Sequence, residues 1–235
     1  MVDVNTDLVA PDEAGSEAVA VQGAIPVGQV TGEISERDLQ YPSLNIVSKM
    51  GTLPEKFKVG DLVLNREYFL ASQGGEPLKL VIMSCIKTYQ DRTPFNPTGP
   101  RPTTYRSLRE VADAGKYIDW RDDQPPTAEE VATAYLLIRK PADLMCMSFN
   151  NSLDGHDYAV ARWTMTSTAY THAARIIFTK SQIELRDGLD QGVWELSTTQ
   201  RNIKGYSVAV PVLRLTAERT SEEFRKAARA VFQPQ

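Results

Sequence analysis

Leu78-Lys79-Leu80-Val81-Ile82-Met83-Ser84-Cys85-Ile86-Lys87-Thr88-Tyr89 mixes β-branched, aromatic and other apolar residues between Gly74-Gly75 and a long proline-rich stretch. Such a run, bounded by turn residues, predicts a strand at the centre of a sheet. Strands are expected on either side of it in the chain. Upstream, Leu44-Asn45-Ile46-Val47 is a short strand candidate ended by Gly51. A turn over 52–60 follows, in which Pro54 and Gly60 frame Phe57 and Val59, and Asp61 to Asn65 is a second strand candidate.

Downstream, residues 93–126 hold six of the fourteen prolines. The capping box Ser107/Glu110 predicts one helix there, Ser107 to Ala114. An excursion of that length is functional or a packing arm, since ordinary connections are much shorter. Thr127 and Glu130 form a second capping box, predicting a short helix that feeds a strand over Ala134 to Arg139. Tyr158 to Met165 alternates, with Tyr158, Val160, Arg162 and Thr164 on one side and Ala159, Ala161, Trp163 and Met165 on the other. Trp163 is expected in the core.

From Thr168 to Thr179 the spacing turns helical, placing Tyr170, Ala173, Ala174, Ile177 and Phe178 in one stripe that should pack on the sheet. Gly192 to Thr199 and Tyr206 to Leu215 predict a hairpin whose connection, Gln200 to Gly205, contains Asn202 and Gly205. Thr220 as N-cap, with Glu223 three residues on, opens a terminal helix whose Phe224, Ala227, Ala228, Val231 and Phe232 share a face. The expected fold is α+β: an antiparallel barrel or strongly bent sheet, OB-like, with an inserted proline-rich loop at about 90–126, a packing helix and a C-terminal helix.

With 42% apolar residues among 235, the chain buries a core without staples. Its apolar runs fall well short of the roughly 20 residues of a membrane helix, so no membrane association is expected. The opening Met1-Val2-Asp3 lacks the basic start of a secretory signal, which predicts a cytoplasmic site. Cys85 and Cys146 both sit in apolar stretches and read as buried thiols.

Charge divides the chain. Residues 1–36 hold seven of the thirty acids and no Lys or Arg, while 37–235 hold all twenty-six cations and the other twenty-three acids. The net charge of −4 therefore splits into −7 for an acidic arm and +3 for the body. An acidic arm on a basic domain suits a protein that handles a polyanion selectively. The expected organisation is an arm over 1–36, flexible or docked, and one α+β nucleic-acid-binding domain over 37–235.

No phosphate loop, nucleophile elbow, HExxH or CxxC occurs, so no enzyme, metal or cofactor is expected. Asp154-Gly155-His156-Asp157 has the residue types of an acid/base cluster, but also those of a hairpin turn, and the turn is the favoured reading. Single-stranded nucleic acid needs cations for the backbone and aromatic faces for the bases. Lys87, Tyr89, Arg92, Phe95, Arg101, Tyr105 and Arg106 interleave the two types, and Lys116, Tyr117, Trp120 and Arg121 continue the pattern. Arg201, Lys204 and Tyr206 flank the predicted last hairpin. The loop aromatics serve either as base platforms or as anchors pinning a long loop, and the sequence leaves both open.

The blocks Ser35-Glu36-Arg37-Asp38-Leu39, Pro42 to Val47 and Phe57 to Asn65, with Trp194 to Thr198, Gly205-Tyr206, Val210-Pro211-Val212 and Glu222-Glu223-Phe224, resemble bacteriophage-encoded single-stranded DNA-binding proteins. The resemblance implies a non-catalytic oligonucleotide-binding barrel of a replication or recombination system, acting on single-stranded DNA in the host cytoplasm. It supplies no contact residue. The familiar replication type carries its acidic tail at the carboxyl end, whereas here the acids are amino-terminal. The competing expectation is a structural or assembly protein of a virion, a homo-oligomer or a partner of other phage proteins, whose arm docks on neighbouring subunits. A small hydrolase built on Asp154, His156 and Asp157 is a third.

Overall fold

The computed structural model describes residues 40–49, 53–92, 102–142, 144–203 and 205–232. The acidic arm therefore lies outside the described residues, as do Phe95, Arg101 and Lys204. Among the described residues the strands are β1 (Leu44–Ile46), β2 (Leu62–Leu64), β3 (Tyr68–Ala71), β4 (Leu78–Asp91), β5 (Thr104–Tyr105), β6 (Ala128–Arg139), β7 (Asn151–Leu153), β8 (His156–Thr166), β9 (Gly192–Ile203) and β10 (Tyr206–Arg219). The helices are α1 (Leu108–Asp113), α2 (Ser167–Ala169), α3 (Arg175–Ile183) and α4 (Glu222–Phe232), with α2 running into α3 through a π-helical turn, Tyr170–Ala174.

The mixed apolar run from Leu78 builds the strand that organises the rest. β4 lies inside a seven-stranded antiparallel sheet of order β10-β9-β4-β6-β8-β7, with β5 paired to its far end. Strands β1, β2 and β3 form a second antiparallel sheet. Among the described residues no ladder joins β10 to β7, so the large sheet is open, and of the two expected forms, barrel or bent sheet, the closed barrel does not form. The helical segment and the small sheet cover the main core instead of a closing strand pair.

Three cores follow from the side-chain phases. On one face Leu80, Ile82, Leu136, Ile138, Ala161, Trp163 and Trp194 pack with Ala173, Ala174 and Ile177 of the helical segment and with Leu62 and Leu64 of the small sheet. On the opposite face Val81, Leu137, Tyr158 and Val193 take Phe224 and Ala228 of α4, whose Phe224 ring meets Tyr158 edge-on at 5.4 Å. A third cluster, Tyr89, Val111 and Ala128, ties α1 to the sheet. Each fully buried large apolar side chain contributes roughly 1.5–3 kcal/mol, so the first core dominates.

A bulge decides what the far half of β4 presents. The register against β6 shifts between Ile82 and Ser84. One extra residue reverses the alternation, because side chains point to opposite faces with a period of 2. Leu78, Leu80 and Ile82 face the first core, and beyond the bulge it is Cys85, and then Lys87, that take that side. Lys87 thereby points at the helical segment instead of the α4 face.

Two capping signals give way to other structure. Residues 128–133 are not helical but part of β6, because Ala128 to Ile138 pairs residue by residue with β4 and, from Val131, with β8. Ladder bonds on both sides and burial outweigh the local signal. The Thr127 hydroxyl serves the loop instead, accepting from Tyr117 N–H at 3.0 Å. At α4 the cap is Ser221, whose Oγ accepts from Phe224 N–H at 3.0 Å, while the Thr220 hydroxyl donates to the Asp190 carbonyl at 2.6 Å. The Ser107 cap holds, with Oγ accepting from Glu110 N–H at 3.2 Å and the Glu110 carboxylate accepting from Arg106 N–H at 2.8 Å.

The alternating 158–165 segment is β8, with Ala159, Ala161, Trp163 and Met165 buried as expected. Asp154-Gly155 form the β7–β8 turn at φ 51° and 73°, left-handed values that Gly and Asp tolerate. His156 is exposed beside Arg139, and Asp157 pairs with Lys140 at 3.6 Å.

Candidate nucleic-acid interface

The candidate site begins with Lys87, aimed by the bulge. Its Nζ lies 2.6 Å from Glu130 Oε1 and 5.2 and 5.8 Å from the ring centres of Tyr89 and Tyr170. Glu130 stands on β6, on the same face as Ala132, accepts also from the Tyr170 hydroxyl at 3.1 Å, and forms an ion pair with Arg175 at 3.5 Å. Burial alone would raise the Glu130 carboxyl, but the Lys87 hydrogen bond and charge, helped by Tyr170 and Arg175, hold it below its ordinary value. Burial acts to lower Lys87, and the hydrogen bonds to Glu130, Tyr170 and Tyr89 outweigh it and raise the amine. Burial raises the Tyr170 phenol.

The π-turn places the helical contribution. The Arg175 N–H donates to the Tyr170 carbonyl five residues back, and the Arg175 guanidinium lies 5.8 Å from the Tyr170 ring centre. In a regular helix of 3.6 residues per turn these two residues would stand about 140° apart. π-turns occur frequently at functional sites.

Around this network opens a cleft of about 610 Å³, lined by Arg92, Ile118, Glu130, Tyr170, His172, Arg175 and Ile203 among others. Of the described sequence-predicted residues only Arg92 lines it. Ile118 belongs to the excursion, and Trp120 follows two residues later with 66% of its surface exposed. Ile203 ends β9, and its cross-strand partner Tyr206 is 76% exposed. Neither ring is itself part of the cleft lining; each follows a lining residue, by two and three positions along the chain.

The loop around Trp120 is tightly made. Asp122 and Asp123 adopt left-handed φ of 45° and 63°, and Arg121 and Gln124 pair across the turn. The Arg121 guanidinium covers the Tyr117 ring at 4.8 Å, and the Tyr117 hydroxyl donates to Gln124 Oε1 at 3.2 Å. Lys116 Nζ lies 3.7 Å from Asp91. Arg92, Arg106 and Arg201 are exposed, and among the described residues none of the three has an ion pair.

The other predicted aromatics have structural positions. Tyr89 is buried against Val111 and Ala128. Tyr105 pairs with Tyr89 across β5 and β4 and donates to Asp91 Oδ1 at 3.0 Å, with burial and then Asp91 raising its phenol. These two rings anchor the excursion, while Trp120 and Tyr206 remain free for contact.

Glu130, Tyr170, His172 and Arg175 were absent from the sequence-predicted set. Tyr170 was legible only as part of a core stripe, and Arg175 joins it through a π-turn that a 3.6 period does not describe. No group of three or more His, Cys, Asp or Glu suited to a metal occurs among the described residues, and none of their helices is long and apolar enough to cross a membrane.

The fold and site define an open antiparallel α+β protein with a cleft of mixed polar and apolar lining that carries Arg92, Glu129, Glu130 and Arg175. No family model matches the chain, and no curated protein or solved structure does either.

Proposed function

We propose that this chain is a non-catalytic single-stranded DNA-binding protein of a phage-type replication or recombination system, working in the host cytoplasm. The observation that carries the reading is the cleft that brings Arg92 and Arg175 together with Ile118 and Ile203 in its wall, while the exposed Trp120 and Tyr206 follow those last two residues by two and three positions. Bases stack on the two rings, and phosphates run between Arg92, Arg106, Lys116, Arg121, Arg175 and Arg201. The open antiparallel sheet acts as an OB-like support for the bound strand. Duplex DNA keeps its bases stacked on each other and offers nothing to the rings. The acidic arm competes with the strand for the cationic surface.

Fluorescence anisotropy with a labelled oligothymidylate tests this. Binding is expected to weaken steeply with salt and to tighten when residues 1–36 are deleted. Absence of binding at low salt by both the full and the shortened chain would end the proposal.

A second reading, an assembly protein of a virion, is favoured by one feature. Met145 and Met147 are 94% and 95% exposed in the segment after β6, an apolar pair of the kind found at contacts between proteins. Sedimentation to a single monomeric species at high concentration would remove it.

A further inference from the structure

Glu130 is the member of the cleft that neither stacking nor phosphate binding explains. Its carboxylate draws three groups from three elements: Lys87 Nζ of β4 donates at 2.6 Å, the Tyr170 hydroxyl of the π-turn donates at 3.1 Å, and Arg175 Nη2 of α3 forms an ion pair at 3.5 Å. An ammonium, a phenol and a guanidinium converging on one point are the donors that hold an oxyanion, and Arg is suited to a phosphate. Glu130 is fixed, at 24% side-chain exposure, while Arg175 is 62% exposed and only loosely engaged. Arg175 can turn to a second anion in the cleft without breaking a tight bond.

We propose that Glu130 stands where a backbone phosphate would be held, and that Lys87, Tyr170 and Arg175 form a phosphodiester subsite kept partly neutralised by this internal carboxylate. The inference rests on the nucleic-acid reading and names the anion site within it. Lys87, Arg92 and Arg175 carry three positive charges in and beside the cleft, and Glu129 and Glu130 carry two negative ones, leaving a single net charge. An isolated anion gains little there. A strand that also stacks on Trp120 and Tyr206 gains enough from the rings to share or displace the Glu130 contacts. The carboxylate thereby discriminates against polyanions that offer charge without unstacked bases.

Glu129 provides the internal control. It lines the same cleft and carries the same charge, but it accepts from neutral partners, Gln90 Nε2 at 3.0 Å and Ser167 Oγ at 3.0 Å. A merely electrostatic effect would treat the two acids alike.

The experiment measures anisotropy of a labelled oligothymidylate across a salt series with wild type, E130Q, E129Q, R175A and E130Q/R175A, each checked for native near-ultraviolet dichroism. E130Q is expected to bind on the order of tenfold tighter at low salt, from loss of a neighbouring like charge, with a salt slope steeper by about 0.7, one single-strand phosphate. E129Q should gain much less, and R175A should abolish the E130Q gain. Equal gains for E129Q and E130Q, or a gain that survives R175A, would overturn the subsite. Should E130Q not fold, R175A alone decides: a slope shallower by about 0.7 supports the subsite and an unchanged slope refutes it. Wild-type binding with an indifferent E130Q sinks this inference alone. Silence from both proteins sinks the nucleic-acid reading too, and binding by E130Q alone supports the subsite while correcting that reading for the natural chain.

Discussion

Replacing Trp120 by Ala separates binding from folding, because the three tryptophans occupy opposite environments. Trp163 and Trp194 are 2% and 0% exposed in the main core, whereas Trp120, in the excursion, is 66% exposed. A surface truncation away from special backbone positions changes stability by about 0.5 kcal/mol or less, so the melting temperature of W120A should stay within a few degrees of wild type. Base stacking on an aromatic ring is worth about 1–3 kcal/mol by alanine substitution, which is a loss of roughly 5- to 150-fold in affinity. The contrasting variant, W163A, empties a core position and should cost about 3–5 kcal/mol in denaturant unfolding. Tryptophan emission reads both. Iodide should quench the Trp120 component of the native protein, and single-stranded DNA should protect it. A W120A protein that binds as tightly as wild type, or one destabilised as much as W163A, would refute the assignment of this ring to ligand contact.

Other expectations follow from single groups. Burial pushes the Cys85 thiol up to about 12, so in native protein near neutral pH it should resist iodoacetamide and react only on unfolding; rapid labelling of folded protein would contradict its placement. For Glu130 the folded value is lowered from 4.5, so its stabilising contribution is complete above about 4.5 and is lost as pH falls through the lowered value. For Lys87 the folded value is raised from 10.5, so its contribution is complete below that and is lost as pH rises through the raised value. Thermal melts of E130Q should therefore show a weaker acid dependence than wild type, and parallel acid limbs would deny the pairing. Ser221→Ala should destabilise by about 0.5–2 kcal/mol as the α4 cap, measured by urea unfolding; no loss would put the cap elsewhere.

The strands legible in the sequence are those whose burial is one-sided or continuous. Tyr158 to Met165 alternates cleanly because only one face meets the main core, and Leu78 onward is apolar because both faces of β4 are covered. What stayed hidden depends on partners distant in sequence. The capping pattern at Thr127 and Glu130 is a sound local signal, overruled by ladders on both sides of β6. The bulge after Ile82 leaves no mark in composition, yet it decides that Lys87 meets Glu130. The open sheet is likewise set by which strand edges meet. Of the site, the cations and rings were legible as a pattern, but the division into anchors (Tyr89, Tyr105) and exposed rings (Trp120, Tyr206) depends on tertiary burial. The π-turn that joins Tyr170 to Arg175 breaks the very period by which helices are read.

The most direct test of the account is the affinity of the full chain for single-stranded against duplex DNA of the same length across a salt series. Four to six phosphate contacts predict a logarithmic slope of about −3 to −4 for the single strand, with clear preference for it over duplex at every salt concentration. Equal affinity for the two forms, or no measurable binding at low salt, would contradict the claim that the cleft, with Trp120 and Tyr206, forms a single-strand interface.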